Sequence, residues 1–225
     1  MKIAILGNWK MGKKICQMAT EKGHLIVCVS NSKIPATSID LSEADVAIDF
    51  STPNTAFENV SHAINSGIPV ISGTTAWLEQ LQEINDLCTI KGGAFLYSSN
   101  FSIGVNIFLN LNEKLANLMK KQNYKSKIHE IHHTEKLDSP SGTAINLAKK
   151  VNKILKHNTT VTSERVANVA GTHQVIYSSK VDTIEIKHTA NNRDGFAIGA
   201  IMAAEWIINK KGIYNMNDVL KQYLI

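Results

Sequence analysis

The fold class of this chain is decided near its N-terminus by the stretch Lys2-Ile3-Ala4-Ile5-Leu6-Gly7-Asn8-Trp9-Lys10-Met11-Gly12. An apolar run typical of a buried strand leads into a glycine turn, and an amphipathic helical pattern follows. Such a turn suits the pyrophosphate of a dinucleotide, because glycine lets the backbone approach the phosphates and the helix start offers free N–H groups. The motif lacks a full G-x-G-x-x-G, and Trp9 stands where a small residue is usual. A strand-to-helix turn that binds nothing therefore stays an alternative.

Short apolar runs and helical patterns alternate through residues 1–102. This alternation predicts a parallel sheet with helices between its strands. Thr52 and Pro53 predict the start of the clearest helix, and Gly67 predicts its end. The predicted strands cover residues 2–6, 25–29, 46–50, 69–72 and 94–97.

The pattern changes after residue 106 and implies a second sheet. A long helix is predicted to end near residue 119, and a further helix covers residues 142–155. The strand-like segments are 127–133, 173–177 and 183–189, and helical patterns at 199–210 and from 216 onward close the chain.

Composition argues for a globular protein in a reducing compartment. Apolar residues make up 44% and charged residues 19% of the chain, which is ordinary for a packed domain. The three cysteines are odd in number and widely spaced, so neither a disulfide framework nor a zinc site is predicted. No signal peptide and no membrane span are expected, since the longest uncharged window, residues 92–112, is rich in Ser and Asn.

The net charge of +5 is unevenly distributed. Residues 1–102 hold 7 basic and 9 acidic residues, a balance of −2, whereas residues 103–192 hold 13 and 7, a balance of +6. The middle of the chain therefore favours anions. The basic residues there are interpreted as a solvated helix face, and no nucleic-acid motif accompanies them, so no nucleic-acid partner is expected.

Polar loops follow several of the predicted parallel strands, where ligands of open α/β sheets bind. The end of the second strand has no acidic residue for the ribose hydroxyls of NAD and carries Lys33, which predicts that the 2′-phosphate of NADP is tolerated or preferred. Lys33 as a solvated loop residue is the alternative. The loops at residues 73–75 and 98–101 are predicted to pack on the nicotinamide end, with ordinary turn and capping chemistry as the alternative.

The densest chemical cluster runs from Glu130 to Ala144 and reads EIHHTEKLDSPSGTA. Adjacent histidines on a strand point to opposite faces, so His132 and His133 cannot both meet one ligand without a bend, and no metal site is predicted. Ser141-Gly142-Thr143 at a helix start offers N–H groups and a hydroxyl for a carboxylate, and Lys136 adds a positive charge. A simple helix cap is the alternative for the serines.

Four segments together resemble the 4-hydroxy-tetrahydrodipicolinate reductase family, and they occur in that family's order. They are Asp49-Phe50-Ser51, Gly73-Thr74-Thr75, the stretch from Ser99 to Asn106, and the E-x-H-H-x-x-K-x-D-x-P-S-G-T-A string. The resemblance runs from the Gly7 turn to the Arg193 region, although the glycine turn is shorter than the family's common form and residues 155–181 are trimmed.

The resemblance implies an α/β fold: a Rossmann-type parallel-sheet dinucleotide-binding domain from residues 1–102 and 193–225, with an inserted α+β domain at 103–192. The inserted domain would bind substrate and form a homotetramer. The family's reaction is the reduction of a cyclic dicarboxylate by NADPH or NADH, in the cytoplasm.

The resemblance also assigns roles to residues. His132 would be the general acid, a role that histidine suits near neutral pH, and Lys136 would assist it. Substrate would be bound by His133, Lys136, Ser141, Gly142 and Thr143. Together with the loop patterns described above, the resemblance predicts that the cofactor is lined by Gly7, Lys10, Met11, Gly12, Lys33, Asp49, Phe50, Gly73, Thr74, Thr75, Ser99, Asn100 and Phe101.

Two other functions stay open at this point. A Rossmann-type dehydrogenase for another small acid would share the Gly7 turn but not the string from Glu130 to Ala144. A regulatory module would bind the nucleotide without turnover.

Overall fold

A computed structural model describes residues 1–136 and 138–223; Leu137, within the motif string, lies outside the described residues. The chain divides into two compact units, one made of Met1–Ile103 with Asp194–Ile225 and the other of Gly104–Arg193. None of the helices among the described residues is long and apolar enough to cross a bilayer.

The elements follow one another in an α/β order. The strands are β1 (Lys2–Leu6), β2 (Leu25–Ser30), β3 (Val46–Asp49), β4 (Val70–Ser72), β5 (Ala94–Tyr97), β6 (Lys125–His132), β7 (Thr160–Arg165), β8 (Gly171–Ser178), β9 (Thr183–Ala190) and β10 (Gly212–Tyr214). The helices are α1 (Lys10–Glu21), α2 (Pro53–Asn65), α3 (Leu81–Lys91), α4 (Ile103–Met119), α5 (Gly142–Leu155), α6 (Asp194–Ile207) and α7 (Met216–Tyr223), with 3₁₀ turns at Ala36–Ser38 and Leu78–Gln80.

The first unit contains a parallel six-stranded sheet in the order β10-β5-β4-β3-β1-β2. The central strands are apolar on both faces because helices cover both sides, as in β1, where Ile3 to Leu6 are all buried. Two apolar clusters result, one of which includes α1 and α6 and the other α2 and α3. The predicted α/β, Rossmann-type class is confirmed.

The second unit contains a mixed four-stranded sheet in the order β7-β6-β8-β9. Strands β6 and β7 are parallel, while β6 with β8 and β8 with β9 are antiparallel. Strand β6 alternates exposed and buried residues, the pattern of a strand with one covered face. That face packs in a cluster with residues of α4 and α5, including Phe108 and Leu147.

Several predicted boundaries need correction. The helix predicted after residue 106 begins at Ile103, and the one predicted at 199–210 covers Asp194–Ile207. Both helices contain glycines near their starts, which made the starts hard to predict. In α6, Gly199 is required, since a Cβ there would lie 1.8 Å from the carbonyl oxygen of Phe101. Two strands were not predicted from the sequence: β7, which is rich in polar residues, and β10, which is only three residues long.

Candidate active site

The turn after β1 has a backbone that only glycine can form. Gly7 has φ +108°, and a Cβ there would lie 2.5 Å from the carbonyl oxygen of Phe50. Its N–H donates to Oγ of Ser30 at 2.9 Å. Gly12 is equally constrained, because its Cβ would lie 1.9 Å from the carbonyl oxygen of Gly7. The first turn of α1 therefore sits directly against the strand end.

The N-terminus of α1 carries the features of a phosphate site. Trp9 is its N-cap residue, is 63% exposed and makes no capping hydrogen bond through its side chain. The first turn contains no acidic residue, and Lys10 beside it is exposed. Open N–H groups at the positive end of a helix dipole, reached through a glycine turn, fit the pyrophosphate of a dinucleotide.

The loop after β2 is organised by Asn31. Its Oδ1 accepts hydrogen bonds from the N–H groups of Lys33 at 2.8 Å and Ile34 at 3.1 Å. The side chain of Lys33 is exposed. The loop thus presents a cation where NAD-specific proteins present an acid.

Asp49, at the end of β3, is fully buried in a network of neutral donors. Its carboxylate accepts hydrogen bonds from the hydroxyls of Ser51 (2.6 Å), Ser72 (2.7 Å) and Thr74 (2.7 Å) and from Nδ2 of Asn59 (3.2 Å). Burial raises the pKa of Asp49, and the four hydrogen bonds only partly oppose this rise. Asp49 and Thr74 therefore tie the ends of β3 and β4 together instead of presenting their side chains to solvent.

Aromatic packing fixes the next two loops of the same sheet edge. A Cβ on Gly73 would lie 2.3 Å from the ring of Phe50, so the ring covers the glycine. Phe50 in turn packs on the buried Phe101, with ring centroids 5.6 Å apart. Three other residues of these loops were predicted to line the cofactor. Thr75 and Ser99 are exposed, and Oδ1 of Asn100 accepts the N–H of Ser102 at 2.9 Å.

In the second unit, β6 and β8 place ionisable residues on one buried face. Glu130 is paired with His173 across the two strands, and His132 is two residues further along the same face of β6. The rings of His132 and His173 are 5.0 Å apart and nearly perpendicular. Strand β6 ends at His132, so His133 begins the following loop, with its Nδ1 buried.

Glu130 is at the centre of this cluster, and its side chain is 0% exposed. Oε1 accepts hydrogen bonds from the backbone N–H of Ser141 and from Oγ of Ser163, both at 2.8 Å, while Oε2 accepts one from Oγ of Ser141. A guanidinium nitrogen of Arg165 lies 3.7 Å from Oε1. Burial favours a high pKa for Glu130, but these donors and the nearby charge of His132 outweigh it, so the pKa is lowered.

The two histidines differ in their titration. Burial lowers the pKa of His132, although the charge of Glu130 opposes this shift. Burial, with the charge of His132 as the next cause, lowers the pKa of His173 to about 4. His173 is therefore neutral near pH 7, whereas Glu130 favours the protonated form of His132 against the effect of burial.

The loop between β6 and α5 presents the predicted carboxylate donors. Ser141 is the N-cap of α5, and its Oγ accepts the N–H of Ala144 at 3.2 Å. Gly142 is exposed, with open space where a Cβ would be. Asp138 bridges two of the predicted donors: its carboxylate lies 2.7 Å from Nζ of Lys136 and accepts the N–H of Gly142 at 3.3 Å. These two groups thus already hold a carboxylate.

Arg165 clamps this loop from β7. Its Nε donates to the carbonyl oxygen of Lys136 at 3.2 Å, and another guanidinium nitrogen donates to that of Asp138. The loop is therefore held by a side chain from a strand that was not predicted from the sequence.

Four residues of this cluster had no role predicted from the sequence: Glu130, Ser163, Arg165 and His173. The period of β6 contains a signal for Glu130, since it shares the face of Ile128 and His132. The other three come from β7 and β8, and only the strand pairing brings them to Glu130.

Similar proteins cover the whole chain. Family models described as the N-terminus and the C-terminus of dihydrodipicolinate reductase match residues 1–101 and 104–220. The 4-hydroxy-tetrahydrodipicolinate reductase of Christiangramia forsetii is 45% identical over 233 residues, with 98% of each chain covered. That of Thermosipho africanus is 36% identical over 228 residues, with 100% of both chains covered.

Solved structures support the fold. A dipicolinate-bound dihydrodipicolinate reductase from Paenisporosarcina sp. TG-14 has a TM-score of 0.81 to this chain, with 20% identity, over 97% of this chain and 98% of that one. A probable dehydrogenase from Thermotoga maritima has a TM-score of 0.61 at 8% identity, over 97% and 92%.

Proposed function

The chain belongs to the dihydrodipicolinate reductase family, and from this premise we propose how its residues divide the work of the reaction. It is an oxidoreductase that uses NADH or NADPH to reduce 4-hydroxy-tetrahydrodipicolinate, a small dicarboxylate, in the diaminopimelate route to lysine. The assignment of single residues within that reaction is the proposal.

His132 is the proton donor. Reduction of a conjugated imine ring adds a hydride, which the bound dinucleotide supplies, and a proton, which the protein must deliver to the atom that gains the electron pair. The observation that carries this assignment is geometric: His132 ends β6 beside the substrate loop, and the buried carboxylate of Glu130 lies 3.5 Å from its Nδ1. Burial meanwhile lowers the pKa of the neighbouring His173 to about 4. The imidazolium gives up its proton from Nε2, since Nδ1 is buried on the Glu130 side.

Lys136, Gly142 and Thr143 bind a substrate carboxylate. The carboxylate of Asp138, which contacts both Lys136 and Gly142, supports this role, because a substrate carboxylate can take its place there. The N-terminus of α5 adds the favourable end of its dipole. We assign supporting contacts to His133, which begins the loop, and to Ser141, whose backbone and hydroxyl hold the start of α5 in place.

The first unit binds the dinucleotide. Gly7 and Gly12 hold the backbone close to the pyrophosphate, with Lys10 and Met11 in the first turn of α1. Phe50, Gly73, Thr75, Ser99, Asn100 and Phe101 form the loops at the ends of β3, β4 and β5. Because Lys33 stands where an acid would select NAD, NADPH is accepted at least as well as NADH.

The protein works as a homotetramer in the cytoplasm. The second unit has exposed apolar side chains on α4, α5 and β9, namely Ile107, Leu111, Leu118, Ile145 and Ile184, and such side chains favour an interface. The three cysteines are free, which fits a reducing compartment. Sedimentation of the purified protein measures the assembly.

The reaction needs no metal ion. Donor atoms of Glu130, His132 and His173 lie within 4.8 Å of one another, which is close enough for a shared ion. The carboxylate of Glu130 nevertheless has its hydrogen bonds from Ser141 and Ser163 in place, and His132 is needed for the proton. Dialysis against a chelator is expected to leave the rate unchanged.

The test is the oxidation of NADPH and of NADH, followed by absorbance, with substrate generated in place from pyruvate and aspartate semialdehyde by the preceding synthase. Substrate-dependent oxidation, at least as fast with NADPH as with NADH, is expected. Cofactor binding without oxidation would favour a regulatory module, and a clear preference for NADH would refute the role of Lys33.

A further inference from the structure

A buried carboxylate, that of Glu130, lies next to His132, the proposed proton donor. Oε2 of Glu130 lies 3.5 Å from Nδ1 of His132. Nδ1 is buried and makes no hydrogen bond with any described residue. Among the described residues, Glu130 is therefore the acidic residue that faces Nδ1 of His132.

The position of this carboxylate is fixed before any substrate binds. Three hydrogen bonds from Ser141 and Ser163 hold it, and one of the two donors, Ser141, is also the N-cap of the helix that starts at the substrate loop. A fully buried, ionised carboxylate is costly unless nearby groups compensate for its charge. Besides these donors, a guanidinium nitrogen of Arg165 lies 3.7 Å from Oε1, and Nδ1 of His132 lies 3.5 Å from Oε2.

We propose that Glu130 is a positioning residue: its carboxylate, 3.5 Å from Nδ1 of His132, orients the ring and favours its protonated form, so that Nε2 can donate the proton. This inference rests on the proposed role of His132 as the acid. A carboxylate on one ring nitrogen fixes the orientation and tautomer of the ring and favours the imidazolium.

Other charges around His132 do not replace Glu130. Lys136, in the loop, and Arg165, on β7, both lower the pKa of His132, and the largely exposed Asp138 raises it less than Glu130 does. From β8, His173 is neutral near pH 7, and its partner on β9, His188, also has a pKa lowered by burial. Glu130 is thus the buried group that opposes desolvation of the acid.

The decisive experiment is the pH profile of kcat for Glu130→Gln in the full-length enzyme. Glutamine keeps the shape of the side chain and removes its charge. We expect the pH above which kcat declines to move down by about 1 to 3 units, because a nearby opposite charge typically shifts a pKa by that amount. At pH 7 kcat then falls by about tenfold or more, and it recovers as the pH is lowered.

The matched control is Glu164→Gln, which removes a carboxylate from the adjacent strand. Glu164 is 59% exposed and pairs with His129 at 3.6 Å, away from His132. Its profile is expected to coincide with that of the unmodified enzyme. A merely structural role of Glu130 would lower the melting temperature or kcat at every pH alike, without moving the decline, and that result would overturn the proposal.

His132→Ala separates this inference from the proposed function. If His132→Ala keeps its rate, the assignment of the acid fails and the inference fails with it. If His132→Ala is slow but the profile of Glu130→Gln does not move, the inference alone is wrong.

Ser163→Ala is a second variant that tests the same proposal if Glu130→Gln does not fold. This variant removes one donor from the carboxylate and leaves its charge, so more of that charge acts on His132. The decline of kcat is then expected at higher pH, opposite in direction to that of Glu130→Gln. A profile that stays in place would contradict the proposal.

Discussion

Two fully buried carboxylates, Asp49 in the first unit and Glu130 in the second, have opposite titration behaviour. Both are on strands of the sheet cores and both accept hydrogen bonds from hydroxyl groups. The pKa of Asp49 is raised and that of Glu130 is lowered. Burial alone therefore does not decide the charge of either group.

The difference comes from the partners. Asp49 has neutral partners, which tie strand ends together but do not compensate for the buried charge. Burial raises the pKa of Glu130, but hydrogen bonds from Ser141 and Ser163, with the charge of His132 added to them, lower it by more. Glu130 acts in turn on the ring of His132, whose Nδ1 lies 3.5 Å from its Oε2. Asp49 is therefore a structural centre among neutral donors alone, whereas Glu130 also faces an ionisable ring and can act on its proton.

The largest effect expected from this contrast is on His132. General acids typically contribute about 100- to 10,000-fold to a rate, so His132→Ala should lower kcat on that scale while substrate binding is largely kept. The measurement is NADPH oxidation under saturating substrate. His129→Ala, on the opposite face of β6, is the control and should stay close to the unmodified rate; near-normal turnover of His132→Ala would refute the assignment.

The next effect concerns Lys136, which is proposed to bind a carboxylate of the substrate. Lys136→Ala removes a cation that faces a carboxylate, and we expect kcat/KM to fall by about 10- to 100-fold, with a raised KM. Steady-state kinetics with varied substrate measures it. Lys153→Ala, which removes the same charge from the exposed face of α5, should change neither constant; an unchanged kcat/KM for Lys136→Ala would contradict the role.

The stability of the two carboxylate variants should depend on pH with opposite signs. The lowered pKa of Glu130 gives stability that is fully present above about 4.5, its ordinary value, and is lost as the pH falls through the folded-state pKa. The raised pKa of Asp49 gives stability that is fully present below about 3.8 and is lost as the pH rises through its folded-state pKa.

Denaturant unfolding at a series of pH values measures this contrast. The loss of stability in Glu130→Gln should be largest near neutral pH and shrink in acid, and that in Asp49→Asn should be largest in acid and shrink toward neutral pH. Each unit of pKa shift corresponds to about 1.4 kcal/mol. If the stability loss changed with pH in the same direction in both variants, the proposed contrast between Asp49 and Glu130 would be wrong.

The smallest expected effect concerns one neutral donor. Thr74→Val removes the hydroxyl that donates to Asp49 and accepts the N–H of Ser51 at 2.9 Å. We expect a loss of about 1 to 3 kcal/mol in unfolding free energy, since buried groups lose a partner. Thr75→Val, at the exposed neighbour, should have a much smaller effect in the same measurement; equal losses would show that the network contributes nothing specific.

Much of the fold could be predicted because its signals are local. The alternation of apolar runs and helical patterns gave the first five strands within one or two residues, and the Thr52-Pro53 start of α2 followed from capping chemistry. The predicted strand at 127–133 likewise put both histidines near a strand end, and the structure ends it at His132; Gly142 was correctly predicted at the start of a helix.

Two strands and the partners of Glu130 could not be predicted from the sequence, because they depend on pairing between distant segments. Strand β10 exists as a strand because it pairs with β5, and β7, rich in polar residues, because it pairs with β6. The same pairing carries Ser163 and Arg165 to the Glu130 carboxylate, and β8 carries His173 there.

The amino-acid sequence by itself determined the α/β class, the glycine turn and the motif that carries His132 and Lys136, because each depends on residues close together in the chain. Only the tertiary structure decided that Asp49 is a buried structural centre and that Glu130 stands behind His132. Those outcomes depend on strand register and on burial, which bring together groups from distant segments and fix the charge that each can hold.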